Sequence, residues 1–169
     1  RCLEAFCELF PDADLYTLLH IKGTVSPTIE RHRITTSFVQ SFPLAARYYR
    51  YYLPVFPFAI ERFRLPSYDL VLSSSHCVAK GIRPPAGGKH LCYIHSPMRY
   101  VWDQFDNYAR GGRSGVVARL GMELFRKRLQ AWDVASAARV DQFVANSHNI
   151  AGKVQRYYNR PAAVLHPPV

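Results

Sequence analysis

The segment HLCYIHSPMRYVWDQF, residues 90–105, begins as an apolar run and breaks at His95 into Ser96, Pro97 and Arg99. An imidazole, a hydroxyl and a guanidinium in such a break supply a titratable hydrogen-bonding group, a neutral donor–acceptor and a fixed cation. Pro97 helps to end the run and holds a defined turn, because the residue before a proline is driven out of the helical region. Two other apolar runs end in a similar way. YDLVL passes into SSSHC, with Ser75 and His76, and DQFVA passes into Asn146 and Ser147. If these runs are parallel strands of one sheet, their polar endings meet at one edge and line a ligand crevice. The same residues also have a purely local use. Each ending precedes a helical pattern, so Ser75, Ser96, Asn146 and Ser147 read equally as helix N-caps. Arg99 in turn has Asp103 one helical turn on as an ion-pair partner.

His90, Cys92 and His95 invite a metal reading. Strand alternation puts the first two on one face and His95 on the other, and no CxxC pair occurs, so no metal is expected. Cys2, Cys7, Cys77 and Cys92 lie far apart in a chain of 169 residues that can bury a core without staples. That usage fits reduced thiols in the cytoplasm.

The elements that must position these residues alternate along the chain. Strands are expected over 15–19, 33–38, 68–74, 89–95, 141–147 and 162–168, several of them continuous apolar runs of the kind buried on both faces. Helices are expected over the opening RCLEAFCELFP up to Pro11 and over 44–53, 55–63, 76–80, 98–108, 114–139 and 147–158. This alternation predicts an α/β domain on a mostly parallel sheet.

The chain carries a formal charge of +10 and a pI near 9.7, so its favoured partners are anionic. No apolar run is long enough to span a bilayer, and no signal peptide opens the chain. The stretch LAARYYRYYLPVFPFAIERFR, 44–64, interleaves Tyr48, Tyr52 and other aromatics with Arg47, Arg50, Arg62 and Arg64. It reads either as a surface for the headgroups of an anionic membrane or as a packed helix pair with solvated arginines. Farther on, Leu120, Leu124 and Trp132, with Phe125 and Leu129, form an apolar stripe beside Arg126, Lys127 and Arg128. Basic charge with tyrosines also suits single-stranded nucleic acid, but no RNP, KH, zinc-finger or helix-turn-helix signature is present, and no nucleic-acid partner is expected. A nicotinamide-dependent dehydrogenase would need a GxGxxG after a strand, and none occurs.

Taken together, YDLVLSSSHCVAKG, CYIHSPMRYVWD, RVDQFVANS and the closing VLHPPV resemble the N-terminal half of a family 4 glycosyltransferase of the GT-B fold. Bacterial mannosyltransferases and related enzymes of polysaccharide and O-antigen assembly are most similar. The resemblance implies a Rossmann-like, three-layer α/β/α domain over 1–163 that receives the acceptor, with 164–169 opening the interdomain linker. It implies a C-terminal partner domain, not in this sequence, that binds most of the nucleotide-sugar and carries an acidic pair and diphosphate-binding groups. The first strand of the family and the glycine-rich turn after it are likewise outside the sequence.

The implied activity is retaining transfer of mannose or a similar hexose from GDP-mannose or a UDP-sugar to a lipid-linked or polysaccharide acceptor. No cofactor or metal is implied. The protein would work in the cytoplasm, peripherally at the inner face of the cell membrane. His95 matches the histidine that contacts the donor sugar and the reacting centre. Ser96 replaces a commoner threonine but keeps the hydroxyl. Ser75 and His76 match the strand end bordering the acceptor pocket, with Asn146 and Ser147 at the third such end, and Arg99 points toward an acceptor phosphate.

Overall fold

Among the described residues the β-rich runs form six short strands, and each hydrogen-bonded pair of them is parallel. They are β1 (Leu15–Thr17), β2 (Ile34–Thr36), β3 (Leu70–Ser75), β4 (Lys89–Ile94), β5 (Gln142–Ala145) and β6 (Ala162–Val164). The structure, a computed structural model, describes residues 1–102 and 116–168 and the side chains of all of these except Tyr100 and 116–122. Residues 103–108 and 114–115 of the expected helices, Asp103 and the Leu120 side chain lie outside the described residues.

The protein is α/β, as its alternating pattern predicts, but the strands form two sheets. One has the order β1-β2 and the other β3-β4-β5-β6. The strands are shorter than expected chiefly at their carboxyl ends, where Leu18, Asn146 and Leu165 begin loops. The central strand β4 is apolar on both faces, and His90, Cys92, Tyr93 and Ile94 are all buried. Its two faces meet different helices. Tyr93 takes the ring of Phe6 edge-on at 5.7 Å, from α1 (Cys2–Leu9). The opposite face, with Cys92 and Ile94, packs against residues that recur later in the chain. Val140, Phe143, Ile150, Val154 and Tyr158 join it in one apolar cluster. Helices on both faces give the three layers of a Rossmann-like arrangement.

The remaining helices are α2 (Pro27–Glu30), α3 (Ala45–Tyr48), α4 (Phe56–Glu61), α5 (Arg99–Trp102), α6 (Val116–Ala137) and α7 (His148–Tyr158). The two long helices expected over 44–63 are corrected to α3, a 3-10 stretch over Tyr49–Val55 and α4. Pro54 sits inside the 3-10 stretch and Pro57 at the start of α4, and neither ring tolerates an uninterrupted α-helix. The helix expected over 76–80 is a single 3-10 turn at Ala79–Gly81. In α6 the apolar stripe runs through Phe125, Leu129 and Trp132, while Leu124 is 71% exposed and takes no part in it.

A polar knot lies inside the second apolar layer. Lys80 and Asp133 are buried almost completely, with Lys80 Nζ 3.0 Å from Asp133 Oδ1 as an ion pair. Lys80 also donates to the Asp133 carbonyl and to Ser136 Oγ. Trp102 Nε1 and Tyr158 Oη each donate to Asp133 Oδ2 at 2.8 Å. One carboxylate thereby ties α5, α6, α7 and the turn after β3 to a common point.

Candidate functional site

The register of the sheet decides which loops share an edge. Ser75 of β3 pairs with Ile94 of β4, Ile94 with Ala145 of β5, and Ala145 with Val164 of β6. Four strands therefore stop along one line. The loops that leave it begin with His76, His95, Asn146 and Leu165, so the residues singled out from the sequence do converge.

Strand alternation sorts them further. His95 lies on the Tyr93 face, half-buried, with its ring edge-on to Tyr93 at 5.1 Å. Its Nε2 is 2.8 Å from Ser74 Oγ, which leaves Nδ1 for a ligand. Dehydration by the surrounding protein, then repulsion from His76, holds the His95 imidazole below its ordinary value. His76 is exposed at the rim. Loss of hydration and the nearby Arg99 guanidinium lower its pKa in the same direction. Arg99 is exposed at the start of α5, and among the described residues no carboxylate pairs with it or with either histidine. Two imidazoles held below their ordinary pKa and one cation, with no carboxylate facing them among the described residues, are suited to hydroxyl-bearing or anionic ligands.

Four serine and asparagine assignments divide. Ser75 is 1% exposed and its Oγ accepts from Lys80 N, while Ser96 is 6% exposed and donates to the Pro97 carbonyl. Both hydroxyls are enclosed and hold turns. Ser147 caps α7 by accepting from Ile150 N, and its Oγ donates to Asn146 Oδ1. Asn146 Nδ2 donates to the His95 carbonyl at 3.2 Å, so Asn146 braces the loop that carries the imidazole.

Two contributors were not singled out from the sequence. Ser74 is the one serine of SSS whose parity places it beside His95. His166, in the LHPP run, brings Nδ1 within 3.2 Å of the Asn146 carbonyl and stands 6.2 Å from the His148 ring. The signal was available, since the strand expected over 162–168 also runs into a histidine followed by proline.

His90 belongs to the interior. Its Nδ1 donates to the Arg139 carbonyl at 3.2 Å, and its Nε2 accepts from Ser73 Oγ at 2.9 Å. Among the described residues no group of three or more His, Cys, Asp or Glu side chains stands together as a metal site. Burial lowers the pKa of His90. The unfolded chain accepts a proton near the ordinary 6.5 while the folded chain resists it, so stability is full above that pH and falls as pH drops below it. His76 and His95 act with the same sign. The urea midpoint should therefore fall from about pH 7.5 to about pH 5.5, and fall less in His90→Gln, which has no group to protonate. Equal falls in both proteins would remove His90 as the cause.

The segment expected to face a membrane is largely exposed. Arg47, Arg50, Arg62 and Arg64 are exposed, with Tyr48 at 40%, Tyr51 at 80% and Phe58 at 56%. Arg47, Arg50 and Arg62 lie over the rings of Tyr48, Tyr49 and Phe58. Leu44 protrudes beside them in the left-handed region, at φ 50°, which a leucine rarely adopts. The Tyr52 hydroxyl donates to the Pro43 carbonyl at 2.8 Å and its ring packs on Phe42. Among the described residues no helix is long and apolar enough to cross a membrane.

Comparison with known proteins finds no matching family model, no matching curated protein and no matching solved structure.

Proposed function

We propose that this chain is the acceptor-side half of a nucleotide-sugar-dependent hexosyltransferase, working on a lipid-linked or polysaccharide acceptor at an anionic membrane surface. The observation that carries the reading is the common line of strand ends, which sets His76, His95 and Arg99 at one open edge, with no acid facing them among the described residues. The resemblance of the same loops to the acceptor half of family 4 glycosyltransferases gives that edge a substrate class. In this reading His95, its Nε2 engaged by Ser74, offers Nδ1 to a sugar hydroxyl and orients the anomeric carbon. Arg99 and His76 meet a phosphate of the acceptor. The donor, GDP-mannose or a UDP-sugar, would be held chiefly by a second domain across the cleft.

Alone, the chain should transfer no sugar at a measurable rate, because catalysis of this kind needs both walls of the cleft. An NMR titration with a short-chain polyprenyl-diphosphate sugar should move the amides of His76, His95 and Ser96, leaving those of α7 in place. Shifts confined to α7, or micromolar binding of GDP-mannose by the isolated chain in calorimetry, would overturn this division of labour.

The exposed arginines and aromatics of 44–64 supply the membrane contact. Vesicles containing phosphatidylserine should bind the chain and release it as salt rises, since exposed charges are screened over about 10 Å at 0.1 M salt. Replacing Arg47, Arg50, Arg62 and Arg64 together with Gln should weaken binding by about tenfold or more, at about 1 kcal/mol per basic residue near the surface. Unchanged vesicle affinity would reduce the segment to a packing element. Preference for an oligonucleotide over vesicles would favour a nucleic-acid partner instead.

A further inference from the structure

The carboxyl edge of the molecule continues past the four-stranded sheet. Tyr68, just before β3, donates to Asp14, just before β1, and its Oη lies 3.1 Å from that of Tyr16. Beyond the other ends, Leu18 and Leu19 pack against the cluster that contains Cys77 and Val78. β1 and β3 thus run in the same direction, and the loop that leaves β1 opens on the side where β3 gives way to His76. That loop carries His20.

His20 is held from two sides. Its backbone N–H donates to Gln40 Oε1 at 2.8 Å, and its ring Nε2 lies 3.2 Å from Oε2 of Glu30, the last residue of α2. A carboxylate only accepts, so Nε2 is the nitrogen that donates, and in the neutral ring the Nδ1 lone pair is left open. Among the described residues that nitrogen has no hydrogen-bond partner. Glu30 is fixed in turn, because its Oε1 accepts from Gly23 N at 2.7 Å, where the chain turns at φ 82°, a conformation that favours glycine. The loop does not need the imidazole for its shape, since Thr24 closes the turn on the Ile21 carbonyl with both its N–H and its hydroxyl. Both His20 and Glu30 are largely enclosed, although Ile21, Lys22, Thr24 and Val25 between them are exposed. A carboxylate behind an imidazole fixes the tautomer and aims the far nitrogen at a ligand.

His20 borders the same space as the site already described. It lines one cavity together with Thr17, Ser74 and His76, the residues at the carboxyl ends of β1 and β3. The two parts of the edge differ in charge. Arg99 supplies a cation near His76, whereas Glu30 sets a negative charge directly behind the ring of His20. A phosphate is repelled at His20, but a neutral hydroxyl can donate to Nδ1. We propose that His20, aimed by Glu30, is a hydroxyl-binding subsite that takes a sugar ring of the acceptor, while the acceptor diphosphate lies toward His76 and Arg99. This subsite rests on the acceptor reading of the edge and narrows it: the acceptor carries at least one saccharide unit, and a bare polyprenyl phosphate fills the edge only in part.

The test titrates the chain, at about pH 8 so that exposed imidazoles are neutral, with two probes followed by NMR. One is farnesyl diphosphate and the other is the same molecule bearing one mannose on its terminal phosphate. The mannose-bearing probe should shift the amides of His20 and Gly23 and the ring signals of His20. Farnesyl diphosphate should leave those in place and shift the amides of His76 and Arg99. His20→Gln keeps a donor to Glu30 in its amide nitrogen but removes the imidazole. It should weaken the mannose-bearing probe by about fivefold, the worth of one hydrogen bond, and leave farnesyl diphosphate unchanged. The subsite is overturned if His20 and Gly23 ignore the mannose-bearing probe, respond equally to both probes, or if His20→Gln weakens both alike. Failure of the underlying reading looks different: His76 and Arg99 would ignore both probes, and a His20 that still answered mannose would keep the subsite while the diphosphate assignment fell.

Discussion

Replacing Asp133 with alanine should destabilise the protein by about 3–5 kcal/mol, measured as a lower urea midpoint at unchanged slope. The carboxylate is fully buried and answers Lys80, Trp102 and Tyr158 at once. Without it the ammonium of Lys80 is left in an apolar layer between the rings of Trp132 and Tyr158, 5.5 and 4.8 Å from their centroids. Those rings stabilise a cation, but by less than a carboxylate does. Burial already draws Lys80 below its ordinary range, and the Asp133 charge is the main effect opposing that. Removing it drives Lys80 toward the neutral amine or the chain toward unfolding. Lys80→Met with Asp133→Leu should recover much of the loss, because an apolar pair of similar volume needs no partner for a stranded charge. If Asp133→Ala instead lies within about 1 kcal/mol of the unsubstituted protein, water or another group reaches Lys80 and the knot is not a structural centre.

How much of this was readable from the chain depends on the range of the interaction. LVL, LCYI and QFV announce buried strands by themselves, because a strand covered on both faces has no polar parity to keep. The line of polar strand ends followed from the same runs once they were taken as parallel. Parity within SSS also carried information that the run of like residues hid: Ser73 and Ser75 face the interior, and only Ser74 shares a face with His95. The helices expected over 44–53 and 55–63 are shorter in the fold because the single residues Pro54 and Pro57 disturb the helical ladder on either side, an effect that the strong aromatic periodicity hides. Lys80 and Asp133 are separated by 53 positions, and nothing local marks either as buried. The division of the sheet was equally invisible, since an unpaired edge is defined by a neighbour that no run of residues describes.

The central claim, that the edge at His95 handles a nucleotide-sugar, is tested most directly by following hexose transfer from GDP-mannose or a UDP-sugar to a polyprenyl-diphosphate acceptor. The assay uses a polypeptide in which this chain is joined to the proposed donor-binding domain, with and without His95→Ala. His95 is half-buried and its side chain hydrogen-bonds Ser74 alone among the described residues, so its loss should cost about 1 kcal/mol of stability and move the melting temperature by about 2–4 °C or less. Turnover should fall by about 10²-fold or more, because a group that orients the reacting carbon acts on the barrier itself. Turnover left unchanged by His95→Ala, or a melting temperature that drops well beyond that range while activity persists, would make His95 a structural histidine and contradict the assignment of this edge to sugar transfer.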